Sequence, residues 1–115
     1  MNHSRSERVA GLLRREIAEI LQGEFEYELP AGLISVTDVE VSRDLSHAKV
    51  HVAVLEIEQA PAIIAFLNEH TGQVRHQLGR RIRLRVTPTL KFLHDTSSES
   101  GERIEQLLAA SKRRG

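Results

Sequence analysis

The chain has 115 residues, with 16 Lys and Arg against 16 Asp and Glu, 40% hydrophobic and 28% charged residues, and no cysteine. That length and apolar content give one domain with a sizeable core and exclude global disorder. The longest apolar run, Ala62 to Leu67, excludes a membrane span; the missing cysteines exclude disulfides, thiol catalysis and cysteine zinc sites.

The polar start Met1-Asn2-His3-Ser4-Arg5 has no signal-peptide core, which predicts a cytoplasmic protein. Val9, Leu13, Ile17, Ile20 and Leu21 recur at helical steps and predict a helix from Ser4 to Gln22, with a Ser4/Glu7 capping box and Gly23 as terminator. Glu24 to Gly32, broken by Pro30, reads as a loop. Two strands follow, Leu33–Val41 and His47–Glu56, joined across Ser42–Ser46. In the second, Ala48, Val50, Val52 and Val54 share one face and His47, Lys49 and His51 the other.

Pro61 suits a first helical position, and Ile63, Phe66, Leu67 and His70 lie on one side of the helix that follows. Gly72 interrupts the pattern; Val74, Leu78 and Ile82 resume it. From Ile82 the period changes to two through Leu84, Val86, Leu90 and Phe92, which predicts a strand reaching His94, with Pro88 as an edge or bulge. Thr96 and Glu99, then Ile104, Leu107 and Leu108, predict a final helix, and residues 112–115 a frayed end. Helix, two strands, two helices, strand and helix make a two-layer α+β domain with one sheet.

The zero net charge hides a segregation. Residues 23–58 carry Arg43 and Lys49 against eight acids, whereas residues 75–94 carry Arg75, Arg80, Arg81, Arg83, Arg85 and Lys91 with no acid at all. Five of these six are arginines, whose planar fork suits phosphate oxygens. No metal-binding His or Glu spacing, nucleotide loop or nucleophile elbow is present, so the sequence predicts no enzyme, cofactor or metal. With only Phe25, Tyr27, Phe66 and Phe92 as aromatics, base stacking on a sheet face is disfavoured. A junction at His70-Thr71-Gly72 offers the positive end of a second helix to phosphate, in the manner of a KH domain, although no G-x-x-G loop occurs.

The sequence resembles the ribosome-binding factor A family. The resemblance is carried by Arg8-Val9-Ala10 with Glu16-Ile17-Ala18, by the run Val39 to Val50 (VEVSRDLSHAKV), by Gly72-Gln73-Val74-Arg75 through Leu78-Gly79-Arg80 and Arg83-Leu84-Arg85, and by Pro88, Leu90, Phe92 and Asp95. It implies a type II KH-like domain over residues 1–115, in which a three-stranded sheet carries the helices on one face. A helix–kink–helix at His70-Thr71-Gly72 would replace the G-x-x-G loop, with His70 standing where the family motif has Ala. It further implies a monomeric, non-catalytic factor that binds the immature small ribosomal subunit, aids 16S rRNA maturation near its 5′ end and supports growth in the cold. The expected RNA contacts are Arg75, Arg80, Arg81, Arg83, Arg85 and Lys91, with additional contacts from Arg5, Arg8, Arg15, Arg43 and Lys49. The rival reading is an interaction protein that docks its basic face on an acidic protein without touching RNA.

Overall fold

The computed structural model describes residues 5–97. The expected final helix beyond Ser97, the frayed residues 112–115 and Ser4 of the expected capping box lie outside the described residues. Helix α1 spans Arg5–Glu24, strands β1 and β2 span Ile34–Val41 and His47–Val54, and helices α2 and α3 span Ala60–Glu69 and Thr71–Arg81, followed by β3 at Thr89–His94. The sheet order is β1-β2-β3, with β1 and β2 antiparallel and β2 and β3 parallel. The helices pack on one face of this sheet, as a two-layer α+β fold requires.

Alternation in β2 decides which face is covered. Ala48, Val50, Val52 and Val54 are buried against the helices; His47 and Lys49 are exposed on the open face, where His51 is half-buried. Leu90 and Phe92 of β3 join the covered side. From the helices come Leu13, Ile17 and Ile20 of α1, Leu67 of α2, and Val74 and Leu78 of α3, and no polar or charged residue is buried among the described residues. In β1, Thr37 is an extra residue between the Val36–Val52 and Asp38–His51 pairs. This bulge shifts the strand's alternation, which is why only its second half, Asp38 to Val41, reads cleanly from sequence.

Helix α1 runs through Gly23 to Glu24 instead of stopping at the glycine. Helical-type bonds then continue from Phe25 N–H to the Leu21 carbonyl and from Leu29 N–H to the Phe25 carbonyl. The segment read as a solvated loop therefore buries Phe25 and Leu29. Gly32, at φ 89°, makes the turn into β1.

The third strand is shorter than its period-two pattern predicts. Residues 82–88 are irregular and pairing begins at Thr89, whose N–H reaches the Ser46 carbonyl at 2.9 Å. Pro88 has no N–H to give a ladder. The carbonyls of Thr87 and Pro88 are instead taken by Arg75 of α3, at 2.8 and 2.9 Å. A side chain from the helix layer thus competes successfully with the sheet for this backbone.

Two aspartates clasp strand ends. Asp44 Oδ1 accepts bonds from the Ser46 hydroxyl (2.7 Å), the Ser42 hydroxyl (2.8 Å) and Ser46 N–H (3.1 Å). This holds the hairpin in which Leu45 adopts φ 64°. Asp95 extends β3 through its N–H to the Val52 carbonyl, and its carboxylate accepts from Ser97 and, at 2.5 Å, from the Thr37 hydroxyl in the β1 bulge. Bonds from Ser46 and then Ser42 lower the Asp44 pKa, and bonds from Ser97 and then Thr37 lower that of Asp95, each from 3.8 to about 2. Depressed carboxylate pKa values give stability that is complete above pH 3.8 and lost as pH falls toward about 2. The melting temperature should drop across that window, and Asp95→Asn should flatten part of the drop in a pH series of thermal melts.

Candidate nucleic-acid interface

The two helices after β2 meet at His70, which ends α2 and begins α3 with φ −110° and ψ 18°. The kink expected at His70-Thr71-Gly72 is present, with α3 starting one residue earlier than Gly72. Its histidine is part of the scaffold. Nδ1 of His70 lies 2.7 Å from the Phe66 carbonyl, to which it must donate. The ring stacks on Phe66 at 4.1 Å between centroids and meets Phe25 edge-on at 5.5 Å. Phe25 and Phe66 complete the cluster at 5.2 Å. Sequence reasoning placed Phe66 and His70 on one side but missed Phe25 as their partner, since a residue among alternating glutamates carries no periodic signal.

Gly72 is exposed, its φ is not positive, and a Cβ built there meets nothing within 4 Å. Neither packing nor backbone geometry calls for glycine at this point. What the missing side chain does is leave the first turn of α3 open to close approach from outside. Gly72, His76 and Arg80 are spaced four apart, so they form one stripe along α3, and all three are exposed. His76 was not anticipated; its spacing from Gly72 and Arg80 is the signal that could have found it.

The six cations of residues 75–94 do not form one strip. Arg75 is half-buried and spends Nε and Nη2 on the Pro88 and Thr87 carbonyls. Arg81 turns toward α1, 3.4 Å from Glu16 and 4.0 Å from Glu19. Lys91 sits on the open sheet face in register with Lys49, which itself pairs in register with Glu40. The three that remain, Arg80, Arg83 and Arg85, are exposed and have no carboxylate partner among the described residues. An uninterrupted run of basic residues was split by the fold because a helix, an irregular segment and a strand aim successive side chains in different directions.

Topology gives these three arginines new neighbours. Gln73 at the start of α3 contacts Glu24 at the end of α1 (3.5 Å), and Arg81 at the end of α3 contacts Glu16. The two helices are therefore antiparallel, and the end of α3 lies beside the middle of α1, next to the exposed Arg15, with the exposed Arg5 and Arg8 further toward the start of α1. The segment bearing Arg83 and Arg85 then leads to Thr89, which is tied to the hairpin carrying the exposed Arg43. Of the additional contacts expected from sequence, Arg5, Arg8, Arg15 and Arg43 are exposed on α1 and the β1–β2 hairpin, and Lys49 lies on the open sheet face. Among the described residues no group of three or more His, Asp or Glu is placed to hold a metal ion, and no helix is long and apolar enough to cross a membrane.

A helix–kink–helix laid on a three-stranded sheet, with an open glycine at the kink and arginines beyond it, defines a KH-like α+β module. The model of the family described as ribosome-binding factor A matches residues 5–108. A ribosome-binding factor A from Halorhodospira halophila is 43% identical over 109 residues, covering 93% of this chain and 86% of that protein. The crystal structure of ribosome-binding factor A from Thermus thermophilus superposes with a TM-score of 0.67 at 28% identity, over 77% of this chain and 94% of that one. A homology model of the Thermus thermophilus factor, as fitted into a cryo-electron microscopy map of its complex with 30S, matches with a TM-score of 0.62 at 31% identity, over 76% of this chain and 92% of that one. This chain belongs to the ribosome-binding factor A family.

Proposed function

We propose that this chain is a non-catalytic ribosome assembly factor acting in the cytoplasm, a monomeric KH-like RNA-binding domain over residues 1–115. It binds the immature small ribosomal subunit, assists maturation of 16S rRNA near its 5′ end and supports growth in the cold. The observation that carries the reading is that Arg80, Arg83 and Arg85 are exposed with no carboxylate partner among the described residues, Arg80 lying on the open stripe with Gly72 and His76. Family membership and the Thermus relative fitted into a 30S complex support the choice of partner. In this reading Arg75 and Arg81 hold the scaffold, Arg80, Arg83 and Arg85 meet phosphate, and Arg5, Arg8, Arg15 and Arg43 widen the contact. Lys49 and Lys91, on the open sheet face, stand apart from it.

Affinity then comes mainly from phosphate neutralisation and counterion release. Sedimentation of cell lysate tests the proposal: the protein should travel with free small subunits and not with complete ribosomes. Nuclease treatment before capture should abolish the association. Survival of the complex after nuclease would favour an acidic protein partner instead.

Gly72 offers a finer test. Gly72→Ala should raise the melting temperature slightly, with a gain in stability below the about 1 kcal/mol that separates alanine from glycine in a helix interior, because position 72 is in the first turn of α3 and the new methyl meets nothing. The same methyl should lower affinity for small subunits if RNA approaches the backbone there. A variant that is more stable and binds equally well would remove Gly72 from the interface.

A further inference from the structure

A strand at the edge of a sheet presents free N–H and C=O groups, and a single-stranded nucleic acid lying along it can use them to have its bases read. The sheet has two edge strands, β1 and β3, and the one against which α2 and α3 pack is β3. There the edge is already occupied. Asn68, in the last turn of α2, accepts the Phe92 N–H at 2.9 Å and donates to the Phe92 carbonyl at 3.0 Å. Its amide therefore copies the donor–acceptor pair of a neighbouring strand. Seven residues further on, Arg75 takes the Thr87 and Pro88 carbonyls. Four beyond that, Gly79 lets the chain close in, since a Cβ there would stand 3.2 Å from the Thr87 hydroxyl oxygen.

Asn68 and Arg75 thus tie the helix pair to the backbone of residues 87–92, and Gly79 lets α3 pass close to the Thr87 side chain. Direct hydrogen bonds of this length leave no room between their partners, even for water. Stacking is equally unavailable, because Phe25 and Phe92 are buried and Phe66 is packed against His70. Tyr27, 88% exposed, is set in the turn before β1 and away from the arginines.

We infer that the chain takes RNA that is already base-paired or folded, gripping phosphates from outside on the α3 stripe and residues 80–85, and that it shuts single strands out of the cleft between the helices and β3. Asn68 is the residue that closes that cleft. This rests on the RNA-binding reading above and adds the class of RNA. An A-form duplex displays phosphates and 2′-hydroxyls to an exposed, arginine-bearing surface and hides its bases in a deep major groove. Recognition of this kind follows shape and backbone and is indifferent to base sequence.

The test uses the full chain and fluorescence anisotropy with two labelled RNAs, a hairpin with about 16 base pairs and an unstructured strand with the same number of phosphates. The hairpin should bind about tenfold more tightly, with affinity unchanged when its sequence is scrambled and falling steeply with salt. Asn68→Ala, confirmed folded by circular dichroism, should gain single-strand binding severalfold and keep its hairpin affinity. Single-strand binding by the unaltered protein that equals or exceeds hairpin binding, or that depends on base identity, would overturn the inference while subunit binding stands. No gain in a folded Asn68→Ala protein would overturn the role of Asn68. Absence of binding to hairpin, strand and subunit alike would overturn the RNA-binding reading itself, and this inference with it.

Discussion

Replacing Arg80 and Arg83 together by glutamate is expected to weaken binding to free small subunits by about 100-fold or more, given that each charge-assisted hydrogen bond lost is worth about 1.5–3 kcal/mol. Both side chains are exposed and neither has a carboxylate partner among the described residues, so nothing in the fold depends on them. Surface changes of this kind stay within about 0.5 kcal/mol, and the melting temperature should move by no more than a few degrees. The salt dependence provides an internal check. Loss of two phosphate contacts should make the slope of log affinity against log salt shallower by about 2. The matched control is Lys49→Glu with Lys91→Glu, which changes the same amount of charge on the open sheet face. If that pair weakens binding as much as the arginine pair does, the RNA lies across the sheet and the assignment to α3 fails.

That control matters because the sequence makes the six cations of residues 75–94 look equivalent. Their spacing shows no acid among them, and this remains a sound reason to suspect anion binding. Spacing cannot show that Arg81 will find Glu16 and Glu19 on a helix more than 60 residues earlier, because that contact exists only after α1 and α3 pack antiparallel. Nor can it show that Lys91 will face away from the helices. The legible parts are those where each residue's environment repeats at a fixed period: the valine face of β2, the apolar stripe of α1, and the four-residue steps of α3. Misreadings arose where a single long-range contact overrode the local pattern. Phe25 looked like a loop residue until Phe66 and His70 closed on it, and Leu84 to Pro88 looked like strand until Arg75 captured the carbonyls beside Pro88. The junction at residues 70–72 was visible as a break in helical period, whereas the open space around Gly72 needed coordinates.

Arg75→Ala is expected to lower stability by about 2–3 kcal/mol, a melting temperature lower by roughly 10 °C, which is the opposite pattern to Arg80 and Arg83. The guanidinium is half-buried and bonded to two carbonyls, so truncation leaves both without a donor in a place water reaches poorly. Arg75→Lys keeps the charge but should recover less than half of the loss. An ammonium on a flexible stem does not reproduce the planar fork that reaches the Thr87 and Pro88 carbonyls at once. If Arg75 were chiefly a phosphate ligand, lysine would hold stability constant and change affinity alone. Its position also links scaffold to interface, because residues 82–88 carry Arg83 and Arg85 and this side chain holds their C-terminal end to α3, while Ile82 and Leu84 anchor the start of the segment in the core. Releasing the pin frees that end of the segment, so ordering it again on RNA costs conformational entropy that the native protein has already spent in folding. Affinity should therefore fall about tenfold in Arg75→Ala measured well below its melting temperature, with the salt slope nearly unchanged since Arg83 and Arg85 still reach phosphate. A slope shallower by a full unit would place Arg75 itself on the RNA.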